Sequence, residues 1–190
     1  MEHARLRELI ARMTEMNDEA WEASIDRFKI KRLKKRQYFV KQGDVCRQVG
    51  FIVSGYTRLF YNLKDAEVTK DFNTEYMFCG SYASFISKAP AHFNVIAMEP
   101  LTLLVIGRED LLDLTERFPP WQKFLRIAME QLFISKEDRE ALFLTCTPDE
   151  RYADLVQHHQ DWVNRIPLKY LASYLGMTPE TLSRIRAKKI

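Results

Sequence analysis

The sequence predicts an α+β chain in which an antiparallel strand assembly is framed by helices on both sides. Three observations lead there. Apolar residues recur at helical intervals over the first 28 residues. From Gln37 to Ile106 the chain becomes short runs rich in Val, Ile, Phe, Tyr and Thr, cut by turn residues. After Gly107 the helical period returns and persists to the end.

The elements follow in order. Leu6, Leu9, Ile10 and Met13 give one short helix, and Ala20, Trp21 and Ile25 a second, with Asn17 and Asp18 as capping residues between them. Between Arg27 and Arg36 seven of ten residues are basic, interrupted by Phe28, Ile30 and Leu33. That run is either a phosphate-binding patch or the solvated face of a segment entering a sheet; charge runs are usually exposed faces, so the second reading is preferred. Strands are expected at Tyr38 to Val40, Val49 to Val53, Tyr56 to Tyr61, Glu67 to Phe72, Phe93 to Met98 and Leu101 to Ile106, with turns at Gly43-Asp44 and Ser54-Gly55. Short strands so spaced make a sandwich or barrel. Glu109 to Phe118 is a helix, Pro119-Pro120 interrupts, and Trp121 to Phe143 runs on without Gly or Pro for roughly 34 Å. Phe124, Leu125, Ala128, Met129, Leu132 and Phe133 give it an apolar face wide enough for a partner chain, which points to a homodimer. Thr147-Pro148 caps a further helix expected to run towards Trp162.

Composition narrows the function classes. The 190 residues allow one large domain or two small ones, and 29 Lys plus Arg against 26 Asp plus Glu leave a net charge of +3 that selects no partner by itself. Cys46, Cys79 and Cys146 are an odd, dispersed set that supports neither a disulfide framework nor a zinc site. The longest apolar run in the middle of the chain, near Leu103 to Ile106, is far below the ~20 residues of a membrane span. The first residues carry charges where a signal peptide needs its apolar core. A soluble cytoplasmic protein with no membrane partner is expected.

The last 25 residues carry the most information. Leu168, Leu171, Ala172 and Leu175 stand on one face of a short helix, and Gly176 follows where a turn needs a left-handed residue. Thr178 caps a second helix with Pro179 at its first position, and Met177 and Leu182 have the spacing of a hydrophobic staple. Leu182 and Ile185 supply its buried side; Glu180, Thr181, Arg184 and Lys188 its outer side. This is the pattern of a helix-turn-helix whose second helix enters a groove of double-stranded DNA. Arg184 suits guanine O6 and N7, Glu180 suits cytosine N4, and Thr178 suits a phosphate oxygen. Lys169, Arg186, Lys188 and Lys189 add general phosphate attraction. The alternative is a plain helical hairpin in which Glu180 and Arg184 form an ion pair worth about 0.3 to 0.5 kcal/mol.

The segment from Leu168 to Ile185 strongly resembles the C-terminal helix-turn-helix of Crp/Fnr-type transcription regulators. Lys41-Gln42-Gly43-Asp44 and Phe51 to Leu59 resemble the opening strands of that family's cyclic nucleotide-binding domain, and Val95-Ile96-Ala97 with Leu103 to Ile106 its closing strands. The resemblance implies an antiparallel β-roll sensor with N-terminal helices over residues 1–118, a dimerisation helix over 119–146 and a DNA-binding domain over 147–190. It carries DNA contacts onto Thr178, Glu180, Thr181 and Arg184, and implies RNA polymerase as a further partner. Pro179 stands where many members place a polar or basic residue, so a different DNA sequence is expected. The chain ends before the β-wing that most members carry.

The sensor departs from its family. Nucleotide-binding members hold the ribose with a Glu in a Phe-Gly-Glu-like loop and the cyclic phosphate with an Arg about ten residues on. Here the loop resembles Phe78-Cys79-Gly80-Ser81, with Ser81 in the place of the Glu, and Ala91 and His92 stand in the places of the Arg and its hydroxyl partner. A buried phosphate without a matched cation is costly, so cyclic AMP in the usual pose is not expected. Phe78, Gly80, Ser81, Tyr82, His92 and Asn94, with Phe85 and Phe93, then line either a pocket for another small-molecule effector or a pocket closed by its own aromatic core.

Other classes are disfavoured. A cluster needs about four placed cysteines, so Cys46 and Cys79 beside Lys35 and Tyr38 make no redox site. His158 and His159 point about 100° apart on a helix and chelate poorly. With His only at 3, 92, 158 and 159, a metal-dependent β-barrel enzyme is not expected. No catalytic residue, metal ligand or cofactor is assigned. A ligand-binding or adaptor protein of the same fold, without specific DNA binding, is the remaining alternative.

Overall fold

A computed structural model describes residues 2–188 and divides the chain into two compact units, Met1–Met129 and Glu130–Ile190. The first unit opens with α1 (Glu2–Met13) and α2 (Asp18–Ile25), the latter capped by the Asn17 side chain, which accepts from the Ala20 N–H. Eight strands follow: β1 (Lys29–Leu33), β2 (Tyr38–Val40), β3 (Gln48–Ser54), β4 (Thr57–Asn62), β5 (Glu67–Asn73), β6 (Phe78–Cys79), then, after α3 (Tyr82–Ser87), β7 (Asn94–Ala97) and β8 (Leu101–Gly107). They form two antiparallel four-stranded sheets, in the orders β1-β8-β3-β6 and β2-β7-β4-β5. Sequence neighbours such as β3 and β4 lie in different sheets, the topology of the expected β-roll.

Leu103, Leu104, Val105 and Ile106 are all buried, so β8 shows no alternation: both faces of its sheet are covered. Leu6 and Ile10 of α1, Trp21 of α2 and Leu111 and Leu114 of α4 (Arg108–Arg117) belong to the same apolar cluster as these strands. The first turns of α5 (Pro119–Thr145) join it. Trp121 is fully buried, stacks on Phe28 at 5.6 Å and donates its indole N–H to the Ala20 carbonyl at 2.9 Å. Pro119 and Pro120 thus open α5 rather than interrupt the chain, because a first turn has no partner for the N–H that proline lacks.

The basic run is largely exposed on β1, an edge strand of its sheet, in agreement with a solvated face. At the turn between β3 and β4, Gly55 has φ +89°, and a Cβ there would fall 2.6 Å from the Pro100 carbonyl oxygen; only glycine fits.

In the second unit α6 (Pro148–His158) starts with a complete capping box. The Thr147 hydroxyl accepts from the Glu150 N–H while the Glu150 carboxylate accepts from the Thr147 N–H at 2.8 Å. The helix does not run to Trp162 as expected. It breaks at His159 (φ −140°, ψ 50°), and α7 (Gln160–Arg165) follows. His159 stacks on Trp162 at 4.2 Å, and the break turns the indole inward, to 3% exposure: burial overrides a sequence without Gly or Pro. α8 (Leu168–Tyr174) and α9 (Pro179–Ala187) complete the unit around buried Leu155, Trp162, Leu171, Leu175, Leu182 and Ile185.

Candidate nucleic-acid interface and ligand pocket

The turn between α8 and α9 is built by hydrogen bonds that end the first helix and start the second. The Met177 N–H reaches the Ala172 carbonyl at 3.0 Å and the Gly176 N–H the Ser173 carbonyl at 3.2 Å, a Schellman closure with Gly176 at φ +66°. Thr178 then caps α9: its hydroxyl accepts from the Thr181 N–H and donates to the Thr181 hydroxyl, both at 3.2 Å. Leu182 and Ile185 are buried beneath.

Above them Glu180, Ser183, Arg184 and Ala187 are exposed, and with Leu168 and Pro179 they line a shallow groove. Thr178 and Lys188 are exposed at the two ends of α9; Thr181 is half-buried; Lys169 lies on α8 with its ammonium 4.7 Å from the Tyr170 ring centre. Lys189 lies outside the described residues. Thr178, Glu180, Thr181 and Arg184 are thus brought together on α9 and its N-cap, with Arg184 in the last turn. The Glu180 carboxyl is held below its ordinary range by its own backbone N–H and by the Thr178 hydroxyl. It turns to the helix N-terminus, and no ion pair joins it to Arg184. The guanidinium of Arg184 stays available in solvent. Ser183 and Ala187 complete the face; they were not singled out in the sequence, where small residues carry no charge signal.

The loop expected to form the ligand pocket is β6, Gly80 and Ser81, followed by α3. Phe78 packs against Phe51 at 5.6 Å and Phe124 at 5.9 Å, as part of the core. Ser81 is buried and its N–H donates to Cys46 Sγ at 3.4 Å. Tyr82 stacks on Phe85, and burial pushes its hydroxyl pKa up. Ala91 is buried and bonded through both backbone groups: its N–H donates to the Asp44 carbonyl and its carbonyl accepts from the Gly43 N–H, each at 2.8 Å. His92 is exposed, and Asn94 is buried with its side-chain oxygen accepting from the Gln42 N–H at 3.0 Å. Phe78, Gly80, Ser81 and Tyr82 are contiguous, whereas His92 faces solvent and Asn94 serves the neighbouring backbone.

Burial raises the thiol pKa of Cys46, and of Cys79, where nearby Cys46 adds to it, which disfavours the nucleophilic thiolate form. Among the described residues no group of three or more His, Cys, Asp or Glu could hold a metal ion, and no helix is long and apolar enough to cross a membrane.

Residues 30–118 match the cyclic nucleotide-binding domain family. Three solved structures share the fold over most of the chain. FixK2 from Bradyrhizobium japonicum has a TM-score of 0.72 at 17% identity, covering 85% of this chain and 83% of that one. The c-di-GMP-responsive global regulator CLP of Xanthomonas campestris has 0.71 at 16%, covering 90% and 91%. The catabolite activator protein of Thermus thermophilus has 0.57 at 22%, covering 91% and 83%. No curated protein matches the chain in sequence. At these identities the structural likeness speaks for the fold alone. Residues 30–118 are similar to the cyclic nucleotide-binding domain family, and most of the chain shares the fold of these three solved structures.

Proposed function

We propose that the protein is a homodimeric, DNA-binding transcription regulator of the cytoplasm, with residues 1–118 as sensor, 119–146 as dimerisation helix and 147–190 as DNA-binding domain. The observation that carries the reading is α9. Its inner face is buried through Leu182 and Ile185, while Glu180, Ser183 and Arg184 stand exposed on its outer face, next to a turn closed by Gly176. A helix so mounted fits the major groove with its first turns at base edges. Arg184 supplies a bidentate donor for guanine, and Lys169 and Lys188 supply phosphate attraction. Exposed Leu132, Phe133, Ile134 and Leu144 on α5 support a second copy as partner. RNA polymerase is the partner through which such a regulator acts.

The sensor does not take cyclic AMP in the usual pose. Ser81 offers no carboxylate for a ribose, and the buried methyl of Ala91 offers no cation for a phosphate. Calorimetry with cyclic AMP is expected to give no saturable heat at micromolar concentrations, and micromolar binding would overturn this part of the reading. Selection of bound sequences from random duplex DNA tests the main one. An inverted repeat with half-site centres roughly 34 Å apart is expected. Weak, sequence-independent binding would leave an adaptor of the same fold as the better description.

A further inference from the structure

A second recess lies in the β-roll, away from the cyclic nucleotide loop. It is a cleft of about 540 Å³ walled on one side by Lys31 of β1 and Gln48 of β3 and on the other by Tyr38 and Phe39 of β2, with Lys41 and Arg47 on the loop between β2 and β3. The Lys31 ammonium is positioned by Gln48, to whose side-chain oxygen it donates at 3.3 Å, and lies 5.2 Å from the Phe39 ring centre. The Lys41 ammonium lies 5.5 Å from the Tyr38 ring centre. Three cations therefore share the cleft with one carboxylate, Asp44, and among the described residues none of the three has an ion-pair partner. Such a like-charged recess focuses positive potential and is relieved by an anion. Its two rings supply flat apolar wall beside the charge, and its volume falls within the range of small-molecule sites, roughly 300 to 1,000 Å³.

We propose that this cleft binds a small organic anion carrying a flat ring, an aromatic carboxylate or an aryl phosphate, with Lys31, Lys41 and Arg47 holding the charge and Tyr38 and Phe39 the ring. The cleft is wired to the sensor loop. Cys46, in its wall, accepts from the Ser81 N–H through Sγ and donates its own N–H to the Ser84 hydroxyl of α3 at 2.9 Å. Asp44 and Gly43 bond the backbone of Ala91, and Val45 bridges to Pro90. The loop that an anion touches is therefore bonded to both ends of the segment that would clamp a cyclic nucleotide elsewhere in the family. The binding claim does not depend on DNA recognition, and its test uses no DNA.

The test is equilibrium binding of three probes to the full chain, with amide shifts mapped by NMR: 1-naphthoate, the uncharged 1-naphthalenemethanol and inorganic phosphate. Saturable binding of 1-naphthoate is expected, at least about tenfold tighter than either other probe, with shift changes at 38–48 spreading to 81–91. The double variant Lys41→Gln/Arg47→Gln should lose about tenfold or more in naphthoate affinity while keeping the wild-type melting temperature. Because both side chains are exposed, a fold defect is not expected; Lys41→Arg should retain binding and controls for one. Absence of naphthoate binding, equal binding of phosphate alone, shift changes confined elsewhere, or undiminished affinity in the folded double variant would each overturn the proposal.

Discussion

Phe143 near the end of α5 covers Gly176 in the turn between α8 and α9. A Cβ on Gly176 would lie 2.8 Å from Phe143 Cε1 and 3.1 Å from Arg151 Nη1. The Phe143 ring itself has the guanidinium of Arg139 at 4.6 Å and that of Arg151 at 4.8 Å from its centre. Arg139 also donates to the Tyr174 carbonyl at 2.9 Å, so one arginine ties the last turn of α8 to the ring that covers the glycine. The turn is thereby fixed from outside as well as by its own backbone bonds.

Gly176→Ala should therefore destabilise the second unit by about 1 to 3 kcal/mol, from the left-handed backbone and the clash together. Urea unfolding followed through the fluorescence of Trp162, in a chain where Trp21 and Trp121 are replaced by Phe, measures it. An unchanged midpoint would mean that Phe143 and Arg151 move aside at no cost.

On α5, Phe133 is 64% exposed and Leu144 77%. They are eleven residues apart, which places them within roughly 20° of each other around the helix. Apolar area of this kind, removed from water by a second copy, contributes about 25 cal/mol per Å². Phe133→Glu should weaken self-association at least about tenfold and leave the melting transition of each unit intact. Light scattering across a concentration series checks this, and a wild-type monomer at tens of micromolar would remove the basis for the dimer.

Much of this architecture was legible in the sequence, and the gaps have physical causes. The helix caps at Asn17, Thr147 and Thr178 and the left-handed Gly176 were readable because cap and turn chemistry is local. β1 was read as the solvated face of a segment entering a sheet and not as a strand of its own, since pairing with β8 is what makes it one. The two-residue β6 and six-residue α3 are too short to show a period. The break at His159 depends on where Trp162 is buried, which is tertiary information. The placing of Ser81 and Ala91 at the family's acid and base positions rests on the resemblance of the sequence alone. The cleft was not legible there, because the fold brings Lys31 and Gln48 against Tyr38 and Phe39 from different sheets.

The capping box at α6 gives a pH prediction. The Glu150 carboxyl is held below its ordinary value of 4.5 by the Thr147 backbone N–H first and the Thr147 hydroxyl second. A lowered folded-state pKa means that the carboxylate stabilises the folded unit fully above about pH 4.5. That contribution is lost as pH falls through the lowered value. An NMR titration of Glu150 should report the lowered midpoint, and Thr147→Ala, which removes the hydroxyl but keeps the backbone N–H, should raise it only part of the way. A Glu150 midpoint that the substitution leaves where it was would show that the hydroxyl does not contribute to it.

The strongest prediction concerns α9. Arg184 is exposed and unpaired, four residues after Glu180, whose carboxylate is turned to the helix N-terminus. Removal of Arg184 therefore strips a donor from the groove face without leaving a buried acid unmatched. Arg184→Ala should cost about 1 to 3 kcal/mol on the selected site and relax preference at one base position. Glu180→Gln keeps a hydrogen-bonding side chain at the helix start and should alter base preference less than it alters the pH dependence of α9. Lys188→Gln should weaken all duplexes alike and reduce the slope of log affinity against log salt by about one. Affinity measured on selected and scrambled duplexes at several salt concentrations separates the two effects. If Arg184→Ala changed neither affinity nor preference, while circular dichroism and melting showed the second unit intact, α9 would not be the reader. The reading of the chain as a ligand-binding or adaptor protein of the same fold would then move ahead.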